Sequence, residues 1–485
     1  MPATVTVAPT AYGKVRGAEI ADGVLSWRGI PYAAPPLGGL RLRPPAAPEP
    51  WSGVRDALAY GNRAPQPELP GPHEPLPPAA EDCLYLNVTA PAGAAGRPVL
   101  FWLHGGGFAA GSGPDHTGDG AAFARSHGLV VVTVNYRLGA LGFLDVPAER
   151  PTGAHGLHDQ VAALRWTRQN IAAFGGDPDQ ITAYGGSAGG KSVTHLLASP
   201  LARGMIARAA ESSGGDHVAD PAQARDISER FFRALGTAPE TIRDVPAADI
   251  LAAQLAVADP ARSTWTWRPS VDGAALTADP LTAIAGGAAA GVPLLLQTCA
   301  RETALFQLTA PDAGAQADRV LAGYFGPARA AELLASYAAA YPELDETELR
   351  GVAVMTDERY VMRTERLADA QSAHAPVWRS RYDGPYAGLT GAASPVFARY
   401  AHLLQGAHGA DVAGIWLGGE GLSGVMHDAW GAFATAADPG WARYEPGRRD
   451  AMVFAPDGPR LTADPFAHAR RAWAGLDWQP GSWWR

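Results

Sequence analysis

The chain has few lysines, few cysteines and no long apolar run. Its 485 residues include only two cysteines, Cys83 and Cys299, which are too few for a disulfide framework or a cysteine metal site. We expect two free thiols in a reducing compartment rather than a single bridge. No segment approaches the roughly 18 consecutive apolar residues that span a bilayer. Residues 1–17 lack a charged region followed by an apolar one, so we expect no export signal, no membrane partner and a cytoplasmic protein.

Positive charge is also scarce. The sequence has 39 Lys and Arg against 48 Asp and Glu, a net charge of −9, and no basic run that would neutralise phosphates along a nucleic acid. We therefore expect no nucleic-acid partner. A hydrophobic content of 47% is typical of a globular chain. The length is compatible with roughly three units of about 150 residues, but large α/β enzymes often keep one core, and we expect one catalytic domain over residues 1–485.

Short apolar runs alternate with helical patterns along the chain. Continuous apolar strands separated by helices predict a mostly parallel sheet that is covered on both faces. A helix is predicted over 156–174, because apolar residues recur near the helical period and GGDP follows as a stop. The Ala-rich stretches 219–290 and 310–375 are predicted to be mainly helical. The five predicted strands are VLFWL (99–103), LVVVTVN (129–135), ITAYG (181–185), VPLLLQ (292–297) and PVWRSRY (376–382).

Ser187 lies in a G-x-S-x-G motif between the strand ITAY and a helix-like segment. Small residues flank such a serine because the chain turns so sharply that the serine is strained and projects its hydroxyl from the sheet edge. The motif alone is weak evidence, since a glycine-rich structural turn has the same letters. The strand before it and the helix after it favour a nucleophile.

Three consecutive glycines follow the strand VLFWL in the segment HGGGF (104–108). Consecutive glycines let backbone N–H groups point toward one place, which a developing oxyanion requires. Together with the N–H of Ala188, those of Gly106 and Gly107 would form a three-donor oxyanion hole. A flexible glycine loop is the alternative, and the nucleophile motif downstream argues against it.

A serine nucleophile needs a base and an acid, which follow it in α/β-hydrolases in the order acid, then histidine. His408, in GAHGAD, is flanked by small residues typical of a loop, although a lone histidine is more often structural. The histidines beyond Ser187 are His195, His217, His374, His402, His408, His427 and His468. The candidate acids are Asp272, Glu302 and Asp357. Glu302 comes just past the strand VPLLLQ, where side chains reach the ligand crevice, whereas Asp272 in SVDG is better placed to cap a turn.

Together these segments resemble the type B carboxylesterase family, which includes the cholinesterases and bacterial para-nitrobenzyl esterases, in the α/β-hydrolase superfamily. The resemblance runs nearly end to end in family order. It implies a large mixed, mostly parallel sheet flanked by helices, with 219–290 and 310–375 as helical insertions that wall a gorge. The matching segments are RGIPYAAPPLG (28–38), EDCLYLNV (81–88), HGGGF (104–108), VNYRLGALGF (134–143), GLHDQVAALRW (156–166), FGGDP (174–178), GGSAGG (185–190), VDG (271–273), GAHGAD (406–411) and AWGAFATAADP (429–439).

The resemblance also implies roles for individual residues. In the family pattern around this strand Gln297 replaces a glycine, while Glu302 keeps its place. Ser213, in ESSGG, matches a serine that supports the histidine from behind, with a helix-end cap as the alternative. Cys83 lacks the upstream cysteine that pairs with it in secreted relatives. The implied catalytic set is the nucleophile Ser187, the base His408, the acid Glu302, and the oxyanion donors Gly106, Gly107 and Ala188.

The sequence departs from the family around the nucleophile. Gly186 stands where the family usually has Glu, so one carboxylate is missing from the floor of the gorge. Lys191 comes four residues after Ser187, about one helical turn along. Losing an anion and adding a cation would make the pocket less attractive to cations. The alternative is that Lys191 extends to solvent and changes nothing.

The aromatic residues of two segments predict which esters the site accepts. The Pro-rich loop 61–82 has no Phe, Trp or Tyr on which a quaternary ammonium could be held, so choline-ester specificity is not expected. Trp265 and Trp267 precede VDG, where the family commonly walls the acyl pocket. If Trp265 faces Ser187, short acyl groups are favoured. The alternative is that either tryptophan belongs to the core.

We therefore expect a serine carboxylic ester hydrolase that acts on small to medium esters through an acyl-enzyme, without metal or cofactor. Its expected partner is a small-molecule ester, and the expected state is a monomer or a weak homo-oligomer. One alternative is an acyltransferase or a cyclising, lactone-forming enzyme on the same fold, motivated by Gly186. A non-catalytic binding protein is disfavoured because the chain keeps Ser187, Glu302 and His408.

Overall fold

A single mixed sheet runs through the computed structural model, which describes residues 5–67, 76–115, 119–146, 149, 151–257, 266–307, 313–345, 348–386 and 403–475. Within those ranges the sheet has 13 strands. In chain order they are β1 Val5–Thr10, β2 Gly13–Ala21, β3 Val24–Pro31, β4 Val54–Asp56, β5 Tyr85–Pro91, β6 Arg97–Leu103, β7 Val130–Val134, β8 Gly176–Gly186, β9 Arg208–Ser212, β10 Leu294–Cys299, β11 Val377–Tyr382, β12 Ala451–Ala455 and β13 Gly458–Thr462.

The middle of the sheet is parallel and its margins are antiparallel. Strands β7, β6, β8, β9, β10, β11 and β12 pair in parallel in that spatial order. Strands β1, β2, β3, β5 and β7 pair antiparallel on one side, and β13 pairs antiparallel with β12 on the other. All five predicted strands lie in the parallel part, so that prediction is confirmed. Strand β4 pairs with β2 off this path.

Both faces of the sheet are covered. Alternate residues of β6 belong to different hydrophobic clusters: Val99, Phe101 and Leu103 pack on one side, Leu100 and Trp102 on the other. Because successive strand residues point to opposite faces, a strand with apolar residues at every position must be buried on both. This explains the continuous apolar runs in the sequence.

The helices bear out the predicted alternation with strands. The predicted helix 156–174 is His155–Asn170 followed by a 3-10 turn, and the described parts of 219–290 and 310–375 are mainly helical. The α-helices are α1 Ala121–His127, α2 Gly139–Phe143, α3 His155–Asn170, α4 Ala188–Ala198, α5 Pro221–Leu235, α6 Ala247–Val257, α7 Pro280–Ala285, α8 Ala304–Gln307, α9 Ala313–Ala340 with a kink at Gly326, α10 Met362–Ser372, α11 Val412–Leu417, α12 Leu422–Ala436 and α13 Ala467–Ala472. Short 3-10 helices are Gly38–Leu40, Ile171–Phe174 and Pro239–Asp244, and π-helical turns are Leu349–Val354 and Asp357–Val361.

Several general predictions can be compared with this fold. Cys83 and Cys299 are both free and buried, as expected. The Pro-rich loop 61–82 is irregular where it is described, and its residues 68–75 lie outside the described part. None of the helices in the described ranges is long and apolar enough to cross a membrane. The single-domain organisation over 1–485 stays a prediction.

Candidate active site

Ser187 lies at the sharp turn between β8 and α4. Its φ of 57° and ψ of −120° put a non-glycine residue in a rarely populated conformation, which costs on the order of 1–3 kcal/mol. The N–H of Ser187 donates to the carbonyl of Ser212 at 2.8 Å, and the N–H of Lys191 donates to the carbonyl of Ser187 at 3.0 Å. A Cβ on Gly189 would lie 1.9 Å from the carbonyl oxygen of Leu103, so helix and sheet pack too closely for a side chain there. The strained turn therefore needs the small residues of the motif.

Two later loops bring His408 and Glu302 to this turn. The Nε2 atom of His408 lies 2.8 Å from Oγ of Ser187, and its Nδ1 atom lies 2.6 Å from Oε2 of Glu302. Glu302 is fully buried and follows β10 by three residues. Its other carboxylate oxygen accepts the N–H of Cys299 at 2.8 Å. The serine, the imidazole and the carboxylate thus form one continuous line of hydrogen bonds.

The other two candidate acids have different partners. Asp272 accepts the N–H groups of Ala274 and Leu276 at 3.0 and 2.9 Å, as expected of a residue that caps a turn. Its second carboxylate oxygen lies 2.7 Å from Nε2 of His158. Asp357 accepts a hydrogen bond from the hydroxyl of Tyr337 at 2.5 Å. Glu302 is therefore the candidate that the structure brings to the serine and histidine.

The glycine loop of HGGGF packs against the serine turn. A Cβ on Gly105 would lie 3.2 Å from Cβ of Ser187, so the two segments approach at a distance that a side chain would prevent. Gly106 has a φ of 106°, which side-chain-bearing residues rarely adopt. Among the described residues no acceptor takes a hydrogen bond from the N–H of Gly106, Gly107 or Ala188. These three donors remain available to a ligand.

A neighbouring segment, 134–143, holds both ends of this loop. The hydroxyl of Tyr136 donates to the carbonyl of His104 at 2.8 Å. The N–H of Gly139 donates to the carbonyl of Phe108 at 2.7 Å. Because both contacts are to backbone carbonyls, they fix the path of the loop and leave its N–H groups unused.

Ser213 follows β9 and lines the cavity onto which Ser187 and His408 open. Its hydroxyl lies 3.8 Å from Sγ of Cys299. The N–H of Cys299 donates to Glu302, so Ser213 is connected to Glu302 through its contact with this cysteine. Its described contacts do not include His408, the residue it was expected to support, and its role stays a prediction.

Lys191 is buried with only 6% of its surface exposed, and it lines the cavity. Its Nζ atom lies 4.8 Å from the centre of the Tyr360 ring. The alternative in which Lys191 extends to solvent is therefore wrong, because the side chain packs inward beneath an aromatic ring. Burial lowers the pKa of Lys191 to about 8, while the nearby carboxylates of Glu302 and Glu211 act in the opposite direction.

Gly186 has apolar surroundings. A Cβ at this position would lie 3.2 Å from a methyl group of Val412 and 3.6 Å from the ring of Trp102. A larger side chain would have to displace these neighbours or enter the cavity. The residue before the serine thus adds space and no charge.

The structure describes only one of the two tryptophans that precede VDG. Trp267 is in the main core, where its ring meets Phe231 edge to face with ring centres 6.0 Å apart. It is not among the residues that line the cavity in the described part of the chain. Trp265 lies outside the described residues, so its place in the acyl pocket stays a prediction.

Ser187 and His408 open onto a cavity of about 640 Å³. The described residues of 219–290 and 310–375 contribute only Arg268 and Tyr360 to its lining, and the expected role of these stretches as insertions that wall a gorge stays a prediction. Sequence reasoning missed both, since neither belongs to a motif. Within the described ranges no group of three His, Cys, Asp or Glu side chains could hold a metal ion. The other residues that shape the cavity include Trp102, Asp115, His217, Leu305, Phe306 and Val412.

A serine on a strained strand-to-helix turn, at the edge of a mostly parallel sheet, defines an α/β-hydrolase. The chain belongs to the carboxylesterase family, whose model matches residues 4–439. It is 37% identical to the para-nitrobenzyl esterase of Bacillus subtilis (strain 168) over 476 residues, 93% of this chain and 95% of that protein.

Solved structures give the same result. A para-nitrobenzyl esterase structure superposes with a TM-score of 0.82 at 34% identity, covering 97% of this chain and all of that one. A carboxylesterase of Geobacillus stearothermophilus superposes with a TM-score of 0.81 at 36% identity, over 96% of this chain and all of that one. The expected family, the α/β-hydrolase fold and the class of carboxylic ester hydrolase are confirmed.

Proposed function

We propose that the protein hydrolyses small to medium carboxylic esters with Ser187 as nucleophile, His408 as general base and Glu302 as the acid that orients the base. The observation that carries the proposal is the line of hydrogen bonds, 2.8 Å and 2.6 Å long, from the hydroxyl through the imidazole to the carboxylate. Glu302 holds the proton on Nδ1, which leaves Nε2 free to accept the hydroxyl proton. It also stabilises the imidazolium that forms.

The reaction proceeds in two balanced halves. Oγ of Ser187 bonds to the ester carbonyl carbon as its proton moves to His408. The ester C–O bond then breaks, and the imidazolium gives that proton to the departing alcohol. Water attacks the acyl-enzyme by the same route, its proton passing through His408 back to Oγ, and the free acid leaves.

We assign the oxyanion hole to the N–H groups of Gly106, Gly107 and Ala188. The assignment is supported by the glycine loop packed on the serine turn and by the absence of acceptors for these groups among described residues. Each donor lowers the barrier by roughly 3 kcal/mol, judged by oxyanion-hole deletions in other enzymes. The mechanism uses no metal or cofactor, because base and donors come from the chain.

The size and the lining of the cavity support the proposed range of small to medium esters. Its volume of about 640 Å³ falls among the sites that hold small molecules, and Leu305, Phe306 and Val412 give it apolar walls. A small-molecule ester is thus the partner that the proposal requires. Cytoplasmic location and a monomeric or weakly oligomeric state stay predictions, and two buried free thiols suit a reducing compartment.

The test is a rate series on p-nitrophenyl esters from acetate to dodecanoate, together with labelling by a fluorophosphonate. We expect rapid turnover of short chains, a loss of roughly 10⁴-fold or more in Ser187→Ala, and a label on Ser187 alone. Ser126→Ala is the matched control, because Oγ of Ser126 also lies near a histidine nitrogen, 2.6 Å from Nε2 of His427, but that histidine faces a backbone carbonyl. An active Ser187→Ala variant would refute Ser187 as the nucleophile. A wild type that takes no label would also refute the proposal, and one that in addition hydrolyses none of the esters would favour a binding protein.

A further inference from the structure

Two cationic side chains line the cavity onto which Ser187 opens. Lys191 and Arg268 are 6% and 5% exposed, respectively. Among the described lining residues the one carboxylate is Asp115, which accepts a hydrogen bond from the hydroxyl of Ser112 at 2.7 Å. Leaving the histidines aside, the lining therefore carries an excess of positive charge inside a largely apolar space.

The position of Lys191 is fixed relative to the reaction centre. Its backbone N–H donates to the backbone carbonyl of Ser187, one helical turn earlier in the chain. Its ammonium group lies 4.8 Å from the centre of the Tyr360 ring, and that ring lies 5.0 Å from the ring of His408. The positive charge is thus one aromatic ring away from the proposed base, close enough to contact a group attached to a bound ester.

Three carboxylates act on the charge of Lys191: Glu302, Glu211 and Asp216. Glu302 is hydrogen-bonded to the imidazole, and Asp216 lies 3.3 Å from Nη1 of Arg363. Burial raises the pKa of Glu211 to about 7, so part of this carboxyl is neutral at physiological pH. These contacts do not remove the charge of a carboxylate, so the three groups offset part of the charge of Lys191. None of them is among the described residues that line the cavity, and a bound ligand therefore meets the cations of the lining directly.

Arg268 contributes the second charge. Its Nη2 atom donates to the amide oxygen of Gln223 at 2.8 Å, and this contact orients the guanidinium without changing its charge. Gly186, just before the nucleophile, adds no negative charge, since its neighbours are Val412 and Trp102. A buried cation that lines a ligand cavity binds an anionic ligand more strongly than a neutral one, because Coulomb attraction is strong where water is excluded.

We infer that the preferred substrates are esters with a second, ionised carboxylate in their acid or alcohol part, held by Lys191 and Arg268 while Ser187 attacks the ester carbonyl. This inference rests on the proposed hydrolysis at Ser187 and adds the charge of the substrate. The carboxylate binds as a charged, hydrogen-bonded partner and takes no part in the covalent steps.

The experiment compares kcat/KM for two matched pairs of esters at pH 7. Mono(4-nitrophenyl) adipate and 4-nitrophenyl methyl adipate differ in charge on the acid part, and 4-acetoxybenzoate and methyl 4-acetoxybenzoate differ on the alcohol part. The readout is the ratio of the anionic to the neutral ester within each variant. The variants are Lys191→Met, Lys191→Arg and Arg268→Gln, with Lys14→Met as the control because Lys14, the only other lysine, is exposed.

We expect the wild type to prefer the anionic member of at least one pair. The ratio should fall about tenfold or more in Lys191→Met, fall less in Arg268→Gln, and stay close to wild type in Lys191→Arg and Lys14→Met. A ratio that is the same in wild type, Lys191→Met and Arg268→Gln overturns the inference, as does a wild-type preference for the neutral member of both pairs. The pair that responds identifies which part of the ester carries the carboxylate.

Failure of the hydrolytic proposal would look different, since the wild type would then turn over neither neutral ester. In that case calorimetric binding of adipate and of 4-hydroxybenzoate to wild type and Lys191→Met still decides the inference. Binding that is lost in the variant supports the anion site, and equal or absent binding overturns it. Thermal unfolding of each variant shows whether it is folded, and Arg268→Gln provides the test should Lys191→Met fail to fold.

Discussion

The Nε2 atom of His408 lies 2.8 Å from Oγ of Ser187, although 221 positions separate the two residues in the chain. The contact arises because β8, β9, β10 and β11 are parallel neighbours, so their carboxyl ends lie along one edge of the sheet. Ser187 follows β8, Glu302 follows β10, and His408 lies in the connection after β11. Ligands of such sheets bind outside this edge, which is where the cavity lies.

The first prediction concerns the acid. Glu302 accepts two hydrogen bonds, from the imidazole and from the N–H of Cys299. A glutamine has only one acceptor oxygen, so Glu302→Gln must point its amide donors at one of these groups. We expect kcat for p-nitrophenyl butyrate to fall by roughly 10³–10⁴-fold, as when the acid of a comparable triad is amidated.

Glu343→Gln is the control for that measurement. Glu343 lies on the surface 2.9 Å from Arg301, and the change should leave kcat within about twofold, as exposed ion pairs contribute little. A Glu302→Gln variant with more than a tenth of the wild-type kcat would show that another group orients the base.

Sequence reasoning found Ser187 and Glu302, which follow strands, and His408, which lies in a motif, but it missed the cavity residues Arg268 and Tyr360, which do neither. Ser187 and Glu302 are predictable because a buried strand is visible as an apolar run and its carboxyl end marks the ligand edge. Glu211, at the end of β9, was open to the same reasoning. The inward packing of Lys191 was not predictable, because the sequence does not place its neighbour Tyr360, which lies in a π-helical turn that no apolar periodicity indicates.

A second prediction follows from the pKa of Lys191, lowered to about 8 mainly by burial. Arg359 lowers this pKa too, whereas Glu302, Glu211 and Asp216 raise it. Because lysine is charged below its pKa, the preference for an anionic ester should hold below pH 8 and fall by up to about tenfold per pH unit above it. The ratio of kcat/KM for the matched esters between pH 6 and 10 measures this.

Lys191→Arg separates this effect from other titrations. A guanidinium stays charged throughout that pH range, so the variant should keep its preference for the anionic ester. A decline with the same midpoint in wild type and Lys191→Arg would mean that a different group titrates.

Glu211 gives a third prediction, on stability. It is fully buried, and its Oε2 atom accepts hydrogen bonds from Thr194 at 2.9 Å and from the N–H of Gly215 at 3.3 Å. No described residue bonds its Oε1 atom. Burial raises the pKa from 4.5 to about 7, so ionisation is harder in the folded state than in the unfolded one. The protonated form therefore stabilises the fold, and this stabilisation is present below pH 4.5 and lost as the pH rises through 7.

Glu211→Gln should remove that loss, because an amide fills the same volume and never ionises. We expect the variant to exceed wild type in the free energy of unfolding by on the order of 2 kcal/mol at pH 8, with a smaller difference at pH 5. Guanidinium unfolding at both pH values measures the difference. A gap that narrows as the pH rises would contradict the assigned direction of the pKa shift.

The last prediction tests Gly186 and the choice between hydrolysis and acyl transfer. The available space accepts a methyl group if Val412 yields by a few tenths of an ångström, whereas a glutamate must send its carboxylate into the cavity that Lys191 also lines. Gly186→Glu should therefore lower the anionic-to-neutral ratio by about tenfold, and Gly186→Ala should not.

In rapid-mixing traces of p-nitrophenol release we expect steady turnover by the wild type, since water reaches the acyl-enzyme. If the wild type instead releases one equivalent and stalls while Gly186→Glu turns over, deacylation by water is the impaired step. An added alcohol or amine should then be acylated, because it would restore turnover by taking the place of water.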